Sequence, residues 1–169
     1  MKKMLLLIAL AFIPMLADAQ VVRNTVHCGI VSAKRDVECS FGARLTTNIV
    51  SGERNGELVL SIYNTKVITG GSFCYLPYEE LPGLLQTFRY AKENPPVREI
   101  TQFTSVIYRG ANLTEFSFDI TSGSKPELYI RISPNTPTVG AEFPWTSIDE
   151  LMSVLEKCYE IMSAHCSGN

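Results

Sequence analysis

The chain has 169 residues, 46% of them hydrophobic, with 15 Lys and Arg against 17 Asp and Glu for a formal charge of −2. That length is enough for one domain with a substantial core. A mildly acidic chain without a Lys/Arg cluster lacks the electrostatic footprint of a nucleic-acid binder, so nucleic acid is excluded as an expected partner.

The first elements concern export. Lys2 and Lys3 precede an apolar run from Met4 to Leu16, and Ala17-Asp18-Ala19 supplies the small residues a signal peptidase requires before Gln20. Residues 1–19 therefore read as a cleaved signal peptide of bacterial type, and the protein as periplasmic or extracellular. The run is short for a bilayer span, and no later stretch approaches about eighteen apolar residues. Losing Lys2, Lys3 and Asp18 leaves 13 basic and 16 acidic residues, a charge of −3. All five cysteines (Cys28, Cys39, Cys74, Cys158 and Cys166) remain, in a compartment where disulfides persist. Their odd number leaves at least one thiol unpaired or pairing between chains.

Residues 20–169 read as a single domain made of two diverged copies, about 25–93 and 97–165. At a constant offset of seventy, Glu57/Glu127, Leu58/Leu128, Ile62/Ile132, Gly70/Gly140, Phe73/Phe143, Glu80/Glu150, Leu81/Leu151 and Leu85/Leu155 are identical, the mark of a repeated structural unit. In the first copy, 25–33 and 36–41 are opening strands. Alternation at Leu45, Thr47 and Ile49 and at Leu58, Leu60 and Ile62 predicts two more around a turn at 51–56, where Ser51-Gly52 matches Ser122-Gly123 after a shift of one residue. Tyr78, Leu81, Leu84, Leu85, Phe88 and Ala91 form a helical face. Pro82-Gly83 would weaken the start of that helix, so residues 78–81 are expected as a separate turn. Asn94-Pro95-Pro96 ends it.

The second copy begins with alternation at Phe103, Ser105 and Ile107, then at Phe116, Phe118 and Ile120. Leu128, Ile130 and Ile132 form a third strand, and 139–143 a short fourth. Ser147 and Glu150 have capping-box spacing ahead of an apolar helical face at Ile148, Leu151, Val154, Leu155, Cys158, Ile161 and Met162. The helix is expected to fade near His165. The fold class is α+β: two copies of about four antiparallel strands followed by one helix, sharing one core. In its order of elements this resembles the doubled sheet-plus-helix units of Whirly and Pur-type proteins. The resemblance implies single-stranded nucleic-acid binding, but it is one of topology, which does not carry function with it.

Candidate chemistry is sparse. His27-Cys28 and His165-Cys166 could supply a Cys2His2 metal site only if the two ends met, and neighbours on a strand point to opposite faces. No metal or cofactor is expected. A disulfide from Cys28 to Cys166 or to Cys39 is the plainer reading. Cys28 or Cys166 with a histidine base would make a thiol-dependent hydrolase or oxidoreductase, although no nucleophile elbow, zinc-protease helix or phosphate loop occurs. Glu79, Glu80, Asp149 and Glu150 lie at helix starts, where the dipole already favours them, and Asn112-Leu113-Thr114 reads as a plain turn despite its glycosylation spacing. No catalytic residue is assigned.

The binding candidates are the aromatic clusters before each helix, with Tyr75, Tyr78, Phe143 and Trp145, and the polar sheet faces, with Tyr63, Tyr108, Tyr129 and Arg131. The clusters are either staples fixing each helix's entry angle or rims gripping a partner. The expected function is an exported, non-enzymatic binding module for a protein or peptide.

Overall fold

The computed structural model describes residues 20–66, 71–98, 104–122, 124–134 and 140–168. The expected signal peptide at 1–19 lies outside these residues, as do Phe103, Gly123 and Val139. Two four-stranded antiparallel sheets, each followed by a helix, make up the fold. The first contains β1 (Val21–Ser32), β2 (Val37–Asn48), β3 (Arg54–Asn64) and β4 (Ser72–Pro77), and leads through a 3-10 turn at Tyr78–Glu80 into α1 (Leu81–Glu93). The second contains β5 (Val106–Arg109), β6 (Glu115–Ile120), β7 (Leu128–Ser133) and β8 (Ala141–Pro144), then a 3-10 turn at Trp145–Ser147 and α2 (Ile148–Cys166). Strands pair in sequence order, because short connections permit antiparallel neighbours and no parallel crossover.

Within the first copy the strands differ from expectation. The segments expected at 36–41 and 45–49 merge, but for Asp36 and Ile49, into one twelve-residue strand, β2, paired along its length with β1 and β3. The fourth strand is Ser72–Pro77, which the sequence offered only as an aromatic cluster. In β5, Val106 and Tyr108 turn toward the core while Ile107 is exposed, so Tyr108 does not belong to a polar outer face.

The inner surface of the first sheet is built by Phe41 and Ala43 of β2, Leu58, Leu60 and Ile62 of β3, and Leu76 of β4, all fully buried. Phe116, Phe118, Ile130, Ile132 and Phe143 line the second. The two helices are exchanged between the copies. α2, from the second copy, packs on β1, β2 and β3 of the first, while α1 packs on β5 of the second. Phe88 of α1 meets the rings of Phe116 and Phe118 edge to face, with centroids 6.1 and 4.8 Å away. On the other side, Val154 of α2 lies against Gly29 and Met162 against Gly56; a Cβ at either glycine would come within 3.0 Å of those side chains. Glycine there lets the helix approach the strands closely. The buried side chains of both sheets and both helices form one hydrophobic cluster.

The helix starts also depart from the predicted capping. Ser147 has ψ near 0° and makes no side-chain capping bond. It sits at the end of a 3-10 turn, away from the extended conformation in which an N-cap side chain reaches back to the first turn. In α1, Pro82 lies in the first turn, where its missing N–H has no helical partner to lose. A separate turn precedes the helix as expected, but it ends at Glu80 and Leu81 already belongs to α1.

The repeat correspondence is not a constant seventy. Leu76 and Phe143 occupy equivalent places beside Leu58 and Ile130, and Pro77 and Pro144 end the fourth strands. The helices open at Leu81 and Ile148, a separation of sixty-seven. The third strands, aligned by those same partners, are separated by seventy-two. The connection from the third to the fourth strand is therefore five residues longer in the first copy.

Candidate functional site

The exchange of helices leaves the ends of the two sheets side by side, and a cleft of about 400 Å³ opens between them, lined by Lys34, Arg35, Asn64, Arg131, Ser133 and Glu142. Lys34 and Arg35 come from the tight connection between β1 and β2. Arg35 and Asp36 both take left-handed backbone conformations, with φ of 62° and 58°. Consecutive positive φ values match a hairpin's right-handed twist, although residues other than glycine and asparagine adopt them at a cost. The turn is held by Ala33 N–H donating to Val37 O (2.8 Å), Thr65 N–H to Asp36 O (2.7 Å), and an exposed Lys66–Asp36 ion pair (2.7 Å). It is tied to the second copy by Lys34 N–H donating to Glu142 O at 2.6 Å.

Across the cleft, Arg131 of β7 donates to the Glu142 carboxylate of β8 at 2.5 Å, and its guanidinium lies 5.7 Å from the centre of the Tyr129 ring. The bond from Arg131 holds the Glu142 carboxyl below the usual carboxylate range against an opposing burial effect, with Arg35 and Lys34 adding to the lowering. Tyr129 is shifted upward, first by burial and then by Asp119. Lys34 also reaches Glu127 at 3.6 Å on the surface. Among the described residues Arg35 forms no ion pair. Three cations thus face one carboxylate in a chain whose overall charge is negative.

Of the residues singled out from the sequence, Arg131 lines this cleft and Tyr129 packs beneath it. The others are dispersed. Phe143 is fully buried and belongs to the core, which corrects its place on an aromatic rim. Tyr78 stacks on Tyr159 of α2 with ring centroids 5.3 Å apart, and Trp145 meets Phe118 edge to face at 6.3 Å. Tyr75 lies on the outer face of the first sheet under the guanidinium of Arg44. The structurally equivalent aromatic pair is Tyr78 and Trp145, each opening a 3-10 turn and each half-buried against another ring. Their ring partners lie on the other helix and on β6, whereas a staple packs on the first turn of the helix that follows.

The cysteines are five unbonded thiols. The Cys28 thiol donates to Val26 O at 3.6 Å, and Cys158 lies beside it. The neighbouring Cys158 lowers Cys28 to about 7, opposed by burial and assisted by the Ala43 backbone and Lys157; the same pairing together with burial raises Cys158. Cys39 is pushed up by burial and by the neighbouring Cys74. Burial raises Cys74 to about 11, against a bond from Thr114. Neither disulfide expected from sequence is brought together. Cys39 stands opposite Val31 in β2, three residues along β1 from Cys28, or about 10 Å. Cys166 follows His165, whose ring meets Thr46 and Thr47 opposite Arg23 and Val22, at least five residues or about 16 Å along β1 from Cys28. Both separations exceed the roughly 7 Å that a disulfide tolerates.

The histidines do not serve these thiols. His27 meets Ser40 Oγ (3.4 Å) on the outer face of the sheet while Cys28 faces inward. His165 Nε2 lies 3.1 Å from Thr46 O and 3.4 Å from Thr47 Oγ1. Among the described residues the two His-Cys dipeptides therefore do not converge on a metal, and neither histidine is hydrogen-bonded to a cysteine.

Glu80 is a structural bridge between the copies. Its carboxylate accepts from Ala111 N–H at 2.9 and 3.1 Å and from the Tyr108 hydroxyl at 3.2 Å. Burial and that carboxylate raise Tyr108 to about 12. Sequence reasoning missed Lys34, Arg35 and Glu142. The only local signal was a charged Lys-Arg-Asp turn between two strands, which is ordinarily a solvated turn. No protein-family model matches the chain, and comparison with curated proteins finds no similar sequence.

Proposed function

We propose that this chain is an exported, non-enzymatic binding protein, and that the cleft between its two copies receives an acidic side chain or terminus of a protein or peptide partner. The observation that carries the reading is the excess of Lys34, Arg35 and Arg131 over Glu142 at a preformed junction. Arg131 is held by a carboxylate and an aromatic ring, so a ligand meets a fixed cation rather than a long mobile side chain. Three cations do not make the extended basic stripe that a nucleic-acid backbone requires. A thiol enzyme using Cys28 or Cys166 is the weaker reading, because neither histidine is bonded to a thiol and Cys28 is buried. Among the described residues no helix is long and apolar enough to cross a membrane.

Fluorescence anisotropy with a labelled hexaglutamate peptide, and a serine–glycine peptide of equal length as control, tests the proposal. Binding to hexaglutamate at low salt is expected to weaken as ionic strength rises, and to weaken about tenfold in Arg35→Ala with Arg131→Ala, the loss of roughly 1.4 kcal/mol. Equal binding of the neutral control, or none at low salt, would remove the proposed site.

A further inference from the structure

The contact between Cys28 and Cys158 lies where the exchanged helix comes closest to the first copy's edge strand. Cys28 sits at the bulge where the β1–β2 register shifts between His27 and Gly29. One turn before Cys158, Val154 presses on Gly29; beside it, the Lys157 ammonium donates to Cys28 O at 2.9 Å. Cys158 is fully buried and Cys28 is 5% exposed. Residues 154 and 158 lie on one helical face, so three neighbouring positions of α2 clasp the same two residues of β1. Cys39 and Cys74 are neighbours too, but stand two strands apart across β3, about 10 Å.

We propose that Cys28 and Cys158 join in a disulfide that staples the second copy's helix to the first copy's edge strand. The electron acceptor is an external disulfide, either that of a protein oxidant or oxidised glutathione. The Cys28 thiolate attacks one of its sulfurs, forming a mixed disulfide and releasing one thiol. The Cys158 thiolate then attacks Cys28 Sγ, displacing the second thiol and closing the bond. Two electrons pass to the oxidant, and the two protons lost by the cysteines end on the two released thiols. With both sulfurs buried, the exchange takes place before α2 docks or while it is lifted from β1. The bond closes a loop spanning most of the mature chain, and so restrains the unfolded ensemble.

The test uses the wild-type mature chain, purified reduced and then equilibrated with oxidised glutathione. Thiols titrated in denaturant are expected to fall from five to three, with one proteolytic fragment linking Cys28 to Cys158. The oxidised form is expected to melt several degrees above the reduced form, a gain absent in Cys158→Ala. Five titrating thiols after oxidation, or a fragment joining any other pair, would overturn the proposal. Because peptide mapping uses the wild-type chain, the result does not depend on the variant folding.

Discussion

Individual side chains at the junction combine packing with poised charge. Glu142 is lowered mainly by Arg131, so its stabilisation is fully present above the unfolded carboxylate value of about 4.3 and is lost as pH falls through the lower folded value. Thermal melts of wild type and Glu142→Gln are expected to differ by a constant amount above about pH 5, and the difference to shrink below about pH 4. The pair is partly exposed, so the plateau should not exceed about 1 kcal/mol. A difference that grows on acidification would contradict this assignment. Phe88 carries far more: fully buried against two rings of the opposite sheet, it should cost about 3–5 kcal/mol on truncation to alanine, measured by urea unfolding. At this scale the sequence was readable where a residue's partners are local. Lys34 and Arg35 were not, because their meaning comes from Glu142, more than a hundred residues away.

For the elements, the repeat was legible in order and misread in register, and the reason is periodicity. The alignment at seventy differs from the structural correspondence by two residues in the third strand and by three in the helix. A shift of two preserves the facing of a strand, and a shift of three nearly preserves the face of a helix, so apolar letters still matched. In the short fourth strand a shift of three reverses the faces, which is why Tyr75 was paired with Trp145 although Tyr78 is its true counterpart. The corrected register places Leu84 with Leu151, Phe88 with Leu155 and Ala91 with Cys158, all buried. Helix exchange itself leaves no trace in local pattern, since an apolar face does not name the sheet it covers. Gly29 and Val154 test it. Gly29→Ala should cost about 1–3 kcal/mol through overpacking. Adding Val154→Ala should recover part of that cost, with a coupling of at least about 0.5 kcal/mol. Strict additivity would mean that α2 does not lie on β1.

For the whole molecule, exchange converts two marginal units into one hydrophobic cluster and makes their junction a structural necessity. Arg44–Glu57, Arg89–Glu156 and Lys92–Asp149 are surface pairs that add little to this. What distinguishes the junction cleft is that its cations come from both copies and that the backbone bond from Lys34 N–H to Glu142 O ties the two together there. The most direct measurement is a backbone amide NMR titration of residues 20–169 with hexaglutamate at low salt. The expected result is a set of saturable shifts confined to the β1–β2 turn around Lys34 and Arg35 and to β7 and β8 around Arg131 and Glu142. Shifts centred instead on the outer face of the first sheet around Tyr75, or no saturable shift anywhere, would contradict a binding site at the junction.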